Sequence, residues 1–183
     1  KKKEATVGVS YSIGPNVRTP EQVAQNLVFP DEKKERKEQA EKPKAENIRR
    51  LASLERSKEE VFSEIVEDSR KRRRNDSGPV VAVMDGALCL WTLLAKVMAE
   101  TPYVGILDII HVTEYLWKVA NALYKEGSGP GQKWVYDNLL LVLQGRVDSV
   151  IEKMERLLEN KKLKKSKRDA LNECVRYFEN HRD

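Results

Sequence analysis

Apolar residues fall at every second position from Val7 through Val9 and Tyr11 to Ile13, so the chain opens with a strand that Gly14-Pro15-Asn16 ends. No partner strand is evident directly downstream. The opening strand therefore pairs with a later one or with a strand outside the chain. Thr19-Pro20-Glu21-Gln22 carries start signals for a short helix to about Leu27. Thr19 offers a capping hydroxyl, Pro20 suits the first turn, and Glu21 suits the positive end of the helix dipole. Residues 29–44 are charged, bounded by prolines and without an apolar period, which predicts an exposed loop. Over residues 45–70 the positions of Ile48, Leu51, Leu54, Phe62, Ile65 and Val66 predict one helix, closed by Lys71-Arg72-Arg73-Arg74.

The pattern then changes. Residues 79–84 form an unbroken apolar run, predicting a strand buried on both faces. Residues 87–99 return to helical spacing, with Leu88, Trp91, Leu94 and Met98, and Thr101-Pro102 breaks them off. Residues 103–107 read as a second buried strand. Strand, helix and strand make a βαβ unit, which requires parallel strands and a right-handed crossover. Beyond Asp108 the spacing is helical throughout, in three stripes. The first runs from Thr113 to Tyr124, the second from Tyr136 to Leu158 and the third from Leu171 to Phe178, with a turn at 127–131 and a basic segment at 161–168. An α/β core followed by a helical subdomain of about three helices is expected.

The 183 residues suit one domain, with at most a small appendage. The formal net charge of +5 favours polyanionic partners, nucleic acid first. Two basic runs are candidate phosphate contacts: Lys71, Arg72, Arg73 and Arg74, then Lys164, Lys165, Lys167 and Arg168. A basic helix end that complements the macrodipole is the plainer account of the first run. Cys89 and Cys174 form no CxxC pair, which argues against zinc, and both sit in apolar helical patterns as buried free thiols would in a reducing cytosol. No apolar run reaches the length of a membrane span, and no signal peptide opens the chain. Lys1-Lys2-Lys3-Glu4 leads straight into the first strand with no initiator Met, so the chain is expected to begin within a domain.

Asp85 and Asp108 stand just beyond the carboxyl ends of the two parallel strands, the edge where open α/β sheets bind ligands. Two carboxylates there can share a hard cation such as Mg²⁺. An Asp-Gly turn at Asp85 and a helix N-cap at Asp108 are the structural alternatives. His111 follows Asp108 in the first helical turn and is either a packed side chain or a metal partner of Asp108. Glu114 and Tyr115 face the site or the core, and Trp117 lies on the apolar stripe. No Gly-rich phosphate loop and no Ser-His-Asp order is present.

Val83-Met84-Asp85-Gly86-Ala87, Leu90-Trp91, the run from Ile106 through Asp108 and His111 to Val112, Glu114-Tyr115-Leu116-Trp117 and Ala120 together resemble transposases of bacterial insertion sequences related to the Mutator-like elements. Arg18-Thr19-Pro20-Glu21, Gly145-Arg146-Val147 and the run from Tyr177 to Asp183 are similar too, so the resemblance covers nearly the whole chain. It implies a ribonuclease-H-like core in which two aspartates and a glutamate hold two Mg²⁺ or Mn²⁺ ions. It implies cutting and joining of double-stranded DNA at element ends and target by hydrolysis and transesterification. It also implies a bacterial cytoplasmic protein that works as a homo-oligomer. Asp85 matches the second acid, as catalytic residue and metal ligand, with Asp108 and His111 supporting the site. The first acid is expected upstream and the glutamate downstream. Glu173 and Glu179 lie on helices without the expected small neighbours.

On this reading residues 1–110 are a partial ribonuclease-H-like core with the charged loop, and residues 111–183 an inserted helical subdomain. With one acid of the triad, the chain alone is expected to be inactive. Two other readings stand beside it. One is a non-catalytic DNA-binding or assembly remnant held to phosphates by the basic runs. The other is a receiver-type phosphotransfer domain, which also places an Asp at a strand end but needs further acids and a Lys on neighbouring strands.

Overall fold

The computed structural model describes residues 5–30, 42–72 and 78–182. Among them the chain is mixed α/β: β1 (Thr6–Ser12), α1 (Pro20–Val28), β2 (Glu46–Ser53), α2 (Lys58–Arg72), β3 (Val80–Met84), α3 (Leu88–Val97), β4 (Tyr103–Leu107), α4 (Ile109–Leu123), α5 (Gly129–Leu143), α6 (Val147–Leu158) and α7 (Lys165–Asn180). No helix among the described residues is long and apolar enough to cross a membrane. Two compact units result: of the described residues, 5–16 and 42–107 fall in the first, and 17–30 and 108–182 in the second. The first holds β1, β2, α2, β3, α3 and β4. The second holds α1 and α4 to α7, since α1 packs on α5 although it precedes β2 in sequence.

The first unit contains two small sheets, β1 antiparallel to β2 and β3 parallel to β4. The continuous helix expected over residues 45–70 is corrected here. Its first part is β2, the partner that β1 requires, and only its second part is helical. Ile48, Leu51 and Leu54 are spaced by three, which suits a helix, but pairing with β1 overrides so weak a preference. The break between the two is chemically marked. The Ser53 hydroxyl accepts from the amides of Glu55 and Arg56, and Ser57 and Glu60 then cap each other's backbone amides. That Ser-x-x-Glu box is a helix start signal lying inside the expected helix.

The apolar residues of β1 do share one face, but that face is exposed: Val7 is 70% and Ile13 53% accessible. The small and polar face, Thr6, Gly8 and Ser10, packs on α2 instead. A Cβ at Gly8 would stand 2.6 Å from Ile65 Cδ1, so the missing side chain lets α2 come close. Ser10 donates to Asp68 at 2.9 Å. Burial raises the affinity of the Asp68 carboxyl for its proton, but hydrogen bonds from Ser10, Arg72 and Arg49 outweigh it and hold the group below the usual carboxylate range.

β3 and β4 are likewise not buried on both faces. Val80, Ala82, Met84 and Tyr103 pack against Val66, Leu94 and Met98. Val81, Val83, Val104 and Ile106, cross-strand partners on the other face, are each about half exposed. At Gly105 an added Cβ would lie 2.9 Å from the ring of Trp91, so α3 sits directly on the β4 backbone.

Four helices, not three, follow Asp108. The stripe from Tyr136 to Leu158 is cut at Gly145, whose φ of 73° suits glycine. The amide of Arg146 reaches Leu141 O and that of Gly145 reaches Val142 O, a Schellman closure that ends α5. The helices pack through Leu116, Val119, Val135, Leu139, Val150, Met154, Leu171 and Cys174, all essentially inaccessible. Burial, reinforced by the Glu173 carboxylate, pushes the Cys174 thiol up to about 12, so it stays protonated. Cys89 is exposed, which corrects the expectation of two buried thiols: it lies on the outward side of the first turn of α3.

Candidate functional site

The β3–β4 register ends at Met84 opposite Leu107, so the two strands stop together and the next residues are Asp85 and Asp108. Asp85 is exposed. Its Oδ1 accepts from the amide of Ala87 at 3.0 Å, an Asx turn that holds the carboxylate at the strand end. Gly86 completes the turn with a φ of 94°, a conformation that a side chain would strain. Asp108 is half-buried and caps α4, its Oδ1 accepting from the amide of Ile110 at 2.9 Å. Each carboxylate thus spends one oxygen on its own backbone. Among the described residues no hydrogen bond or ion pair engages either Oδ2.

These oxygens are hard anionic donors of the kind Mg²⁺ takes, and Mg²⁺ commonly keeps several waters beside one or two carboxylates. The residues fit that role as single ligands. No group of three or more His, Cys, Asp and Glu able to hold a metal is found among the described residues.

One turn into α4, His111 Nδ1 lies 2.9 Å from Glu114 Oε2. Glu114 is exposed, so of its two sequence expectations, site or core, the core is excluded. Its spacing of three from His111 on a helix was the available signal for the pair. Tyr115 stacks on Tyr177 with ring centroids 3.8 Å apart, and Trp117 is half-buried. Lys118, next on the same helix, is paired with Glu173 of α7.

The basic runs divide by duty. Lys71 pairs with Glu67 and Arg72 with Asp68, each 2.7 Å apart and one turn back on α2. They therefore act as a helix end as well as charge. Arg73 and Arg74 lie outside the described residues. In the second run, Arg168 donates to Leu158 O at 2.9 Å and Asn160 O at 3.1 Å, closing the end of α6. Lys167 reaches Leu123 O, the last residue of α4, at 3.4 Å. Lys164 and Lys165 are exposed at the start of α7, where no side chain caps the helix. Sequence reasoning grouped all four as phosphate contacts; two of them are occupied with helix carbonyls, which a run of charges cannot reveal.

Set against models of protein families, curated proteins and solved structures, the chain matches none of them.

Proposed function

We propose that this chain is part of an Asp-Asp-Glu transposase, with Asp85 as a catalytic metal ligand in a ribonuclease-H-like core. The observation that carries the proposal is the position of Asp85 immediately beyond β3, in a parallel β3–α3–β4 unit whose strands end in register. Strand-end carboxylates on such an edge are where open α/β sheets place ligand chemistry. A divalent ion held there supplies activation of the attacking oxygen and neutralisation of the leaving one. The chain's own contribution is to fix the carboxylate. The Ala87 amide anchors Oδ1, and Gly86 supplies the positive φ that the turn needs.

In this reading the DNA duplex is the substrate, and the working protein is a bacterial cytoplasmic homo-oligomer. Lys164 and Lys165 are the best placed phosphate contacts, being exposed beside the uncapped amino end of α7.

The test is a salt series of duplex DNA binding, paired with plasmid nicking in Mn²⁺. Binding is expected to weaken steeply with salt, and Lys164→Gln with Lys165→Gln to flatten the slope by about 0.9 per lost contact. Asp85 is the one residue of the chain matched to a triad acid, so no nicking above background is expected of it. Absence of DNA binding at low salt contradicts the DNA reading. Metal-dependent nicking abolished by Asp85→Asn contradicts the expected inactivity while supporting the role of Asp85.

A further inference from the structure

The His111–Glu114 contact joins two exposed side chains one turn apart on α4, with side-chain accessibilities of 42% and 63%. Such a pair adds little to the stability of a helix. What it does control is the ring. An ionised carboxylate can only accept, so at 2.9 Å from Glu114 Oε2 the Nδ1 of His111 must carry the hydrogen. The proton of the neutral ring is then on Nδ1 and the lone pair on Nε2. This reverses the form that prevails in an unconstrained histidine. Among the described residues no hydrogen bond occupies Nε2.

His111 stands three residues after the N-cap Asp108, and helical side chains lean toward the amino end. A side chain with that lean is directed toward the end of α4 that carries the Asp108 carboxylate. The carboxylate–imidazole arrangement is the one that orients histidines presenting a lone pair to a metal ion. We propose that Glu114 is a positioning residue, holding His111 in the Nδ1–H tautomer so that Nε2 is offered as a lone-pair donor at the amino end of α4. The use of that lone pair rests on the function proposed above; the tautomer rests on the contact alone.

The chain provides its own reference. His181 Nδ1 lies 2.7 Å from Tyr177 O, a carbonyl that can only accept, so His181 is held in the same tautomer by backbone. The experiment is nitrogen-15 NMR of the two imidazoles at a pH where both are neutral, with His181→Asn assigning the signals. In the unsubstituted protein, His111 is expected to show a protonated-type Nδ1 and an unprotonated-type Nε2, like His181. Glu114→Ala is expected to move His111 alone to the opposite form. Glu114→Gln, which keeps an acceptor oxygen, should retain the original tautomer. An Nε2–H form in the unsubstituted protein overturns the proposal. So does an unchanged His111 in Glu114→Ala when the backbone spectrum shows an intact fold. Neither result depends on DNA or metal, so failure here is distinct from failure of the transposase reading.

Discussion

Leu116→Ala is expected to destabilise the helical unit by about 3 kcal/mol, within the range of about 2–5 kcal/mol for emptying a buried leucine site. Leu116 is 0% accessible on α4, which packs on both α5 and α7. A site so enclosed collapses little around the void. Leu157→Ala on α6, where the side chain is 37% accessible, is the matched control and should cost under about 1 kcal/mol. Urea unfolding followed by helical circular dichroism checks both. The unfolding midpoint should fall for Leu116→Ala and hold nearly unchanged for Leu157→Ala. Equal effects from the two substitutions contradict the packing described for α4.

Arg168→Ala should cost about 1–3 kcal/mol, because it removes two charge-assisted hydrogen bonds from carbonyls at the end of α6 and leaves them without that donor. Both bonds come from one planar guanidinium, Nη1 to Leu158 O and Nη2 to Asn160 O. Arg168→Lys should therefore rescue little, since an ammonium has no fork. Lys164→Gln and Lys165→Gln should leave stability within about 0.5 kcal/mol, being exposed surface changes. Thermal unfolding separates the groups. A stability loss from Lys164→Gln equal to that from Arg168→Ala contradicts the division of the basic run into structural and available charge.

Some of this fold was readable from the chain because the physics is local. The alternation at Val7, Val9, Tyr11 and Ile13 gives β1 whatever lies around it. Thr19 and Gln22 form the reciprocal cap that begins α1, with Thr19 accepting at 3.2 Å and Gln22 returning 3.0 Å to the Thr19 amide. The apolar runs around Asp85 and Asp108 announce β3 and β4, and with them the shared edge.

What could not be read depends on partners distant in sequence. Leu51 sits opposite Gly8 only because β2 pairs with β1. Ile48 and Leu54 at helical spacing carry no information about that pairing. The side of β1 that packs is decided by α2, whose Ile65 fits over Gly8, and not by the greater hydrophobicity of Val7 and Val9. The half-exposed valines of β3 and β4 show the same limit: an apolar run reports what a strand could bury, not what covers it. In sequence Arg168 is indistinguishable from its lysine neighbours, because only the fold brings the carbonyls of Leu158 and Asn160 beside it. The helix start at Ser57 and the stop at Gly145, by contrast, are local signals in the sequence, masked by the longer apolar stripes that run across them.

For the candidate site, the placement of Asp85 and Asp108 was legible and their local duties were only alternatives. Asp108 does cap α4, and Asp85 does close a turn. In both cases the backbone hydrogen bond uses Oδ1, so the structural role is compatible with the proposed ligand role.

The proposed binding of a divalent ion by the Asp85 carboxylate is tested by paramagnetic broadening with Mn²⁺. In amide NMR spectra of the whole chain, the signals of Asp85, Gly86 and Ala87 should broaden first and saturably as Mn²⁺ is added. In Asp85→Asn, which keeps an oxygen for the Ala87 amide but loses the charge, that broadening should disappear while the unperturbed spectrum is preserved. Equal broadening in both proteins, or none around Asp85 in either, would contradict the claim.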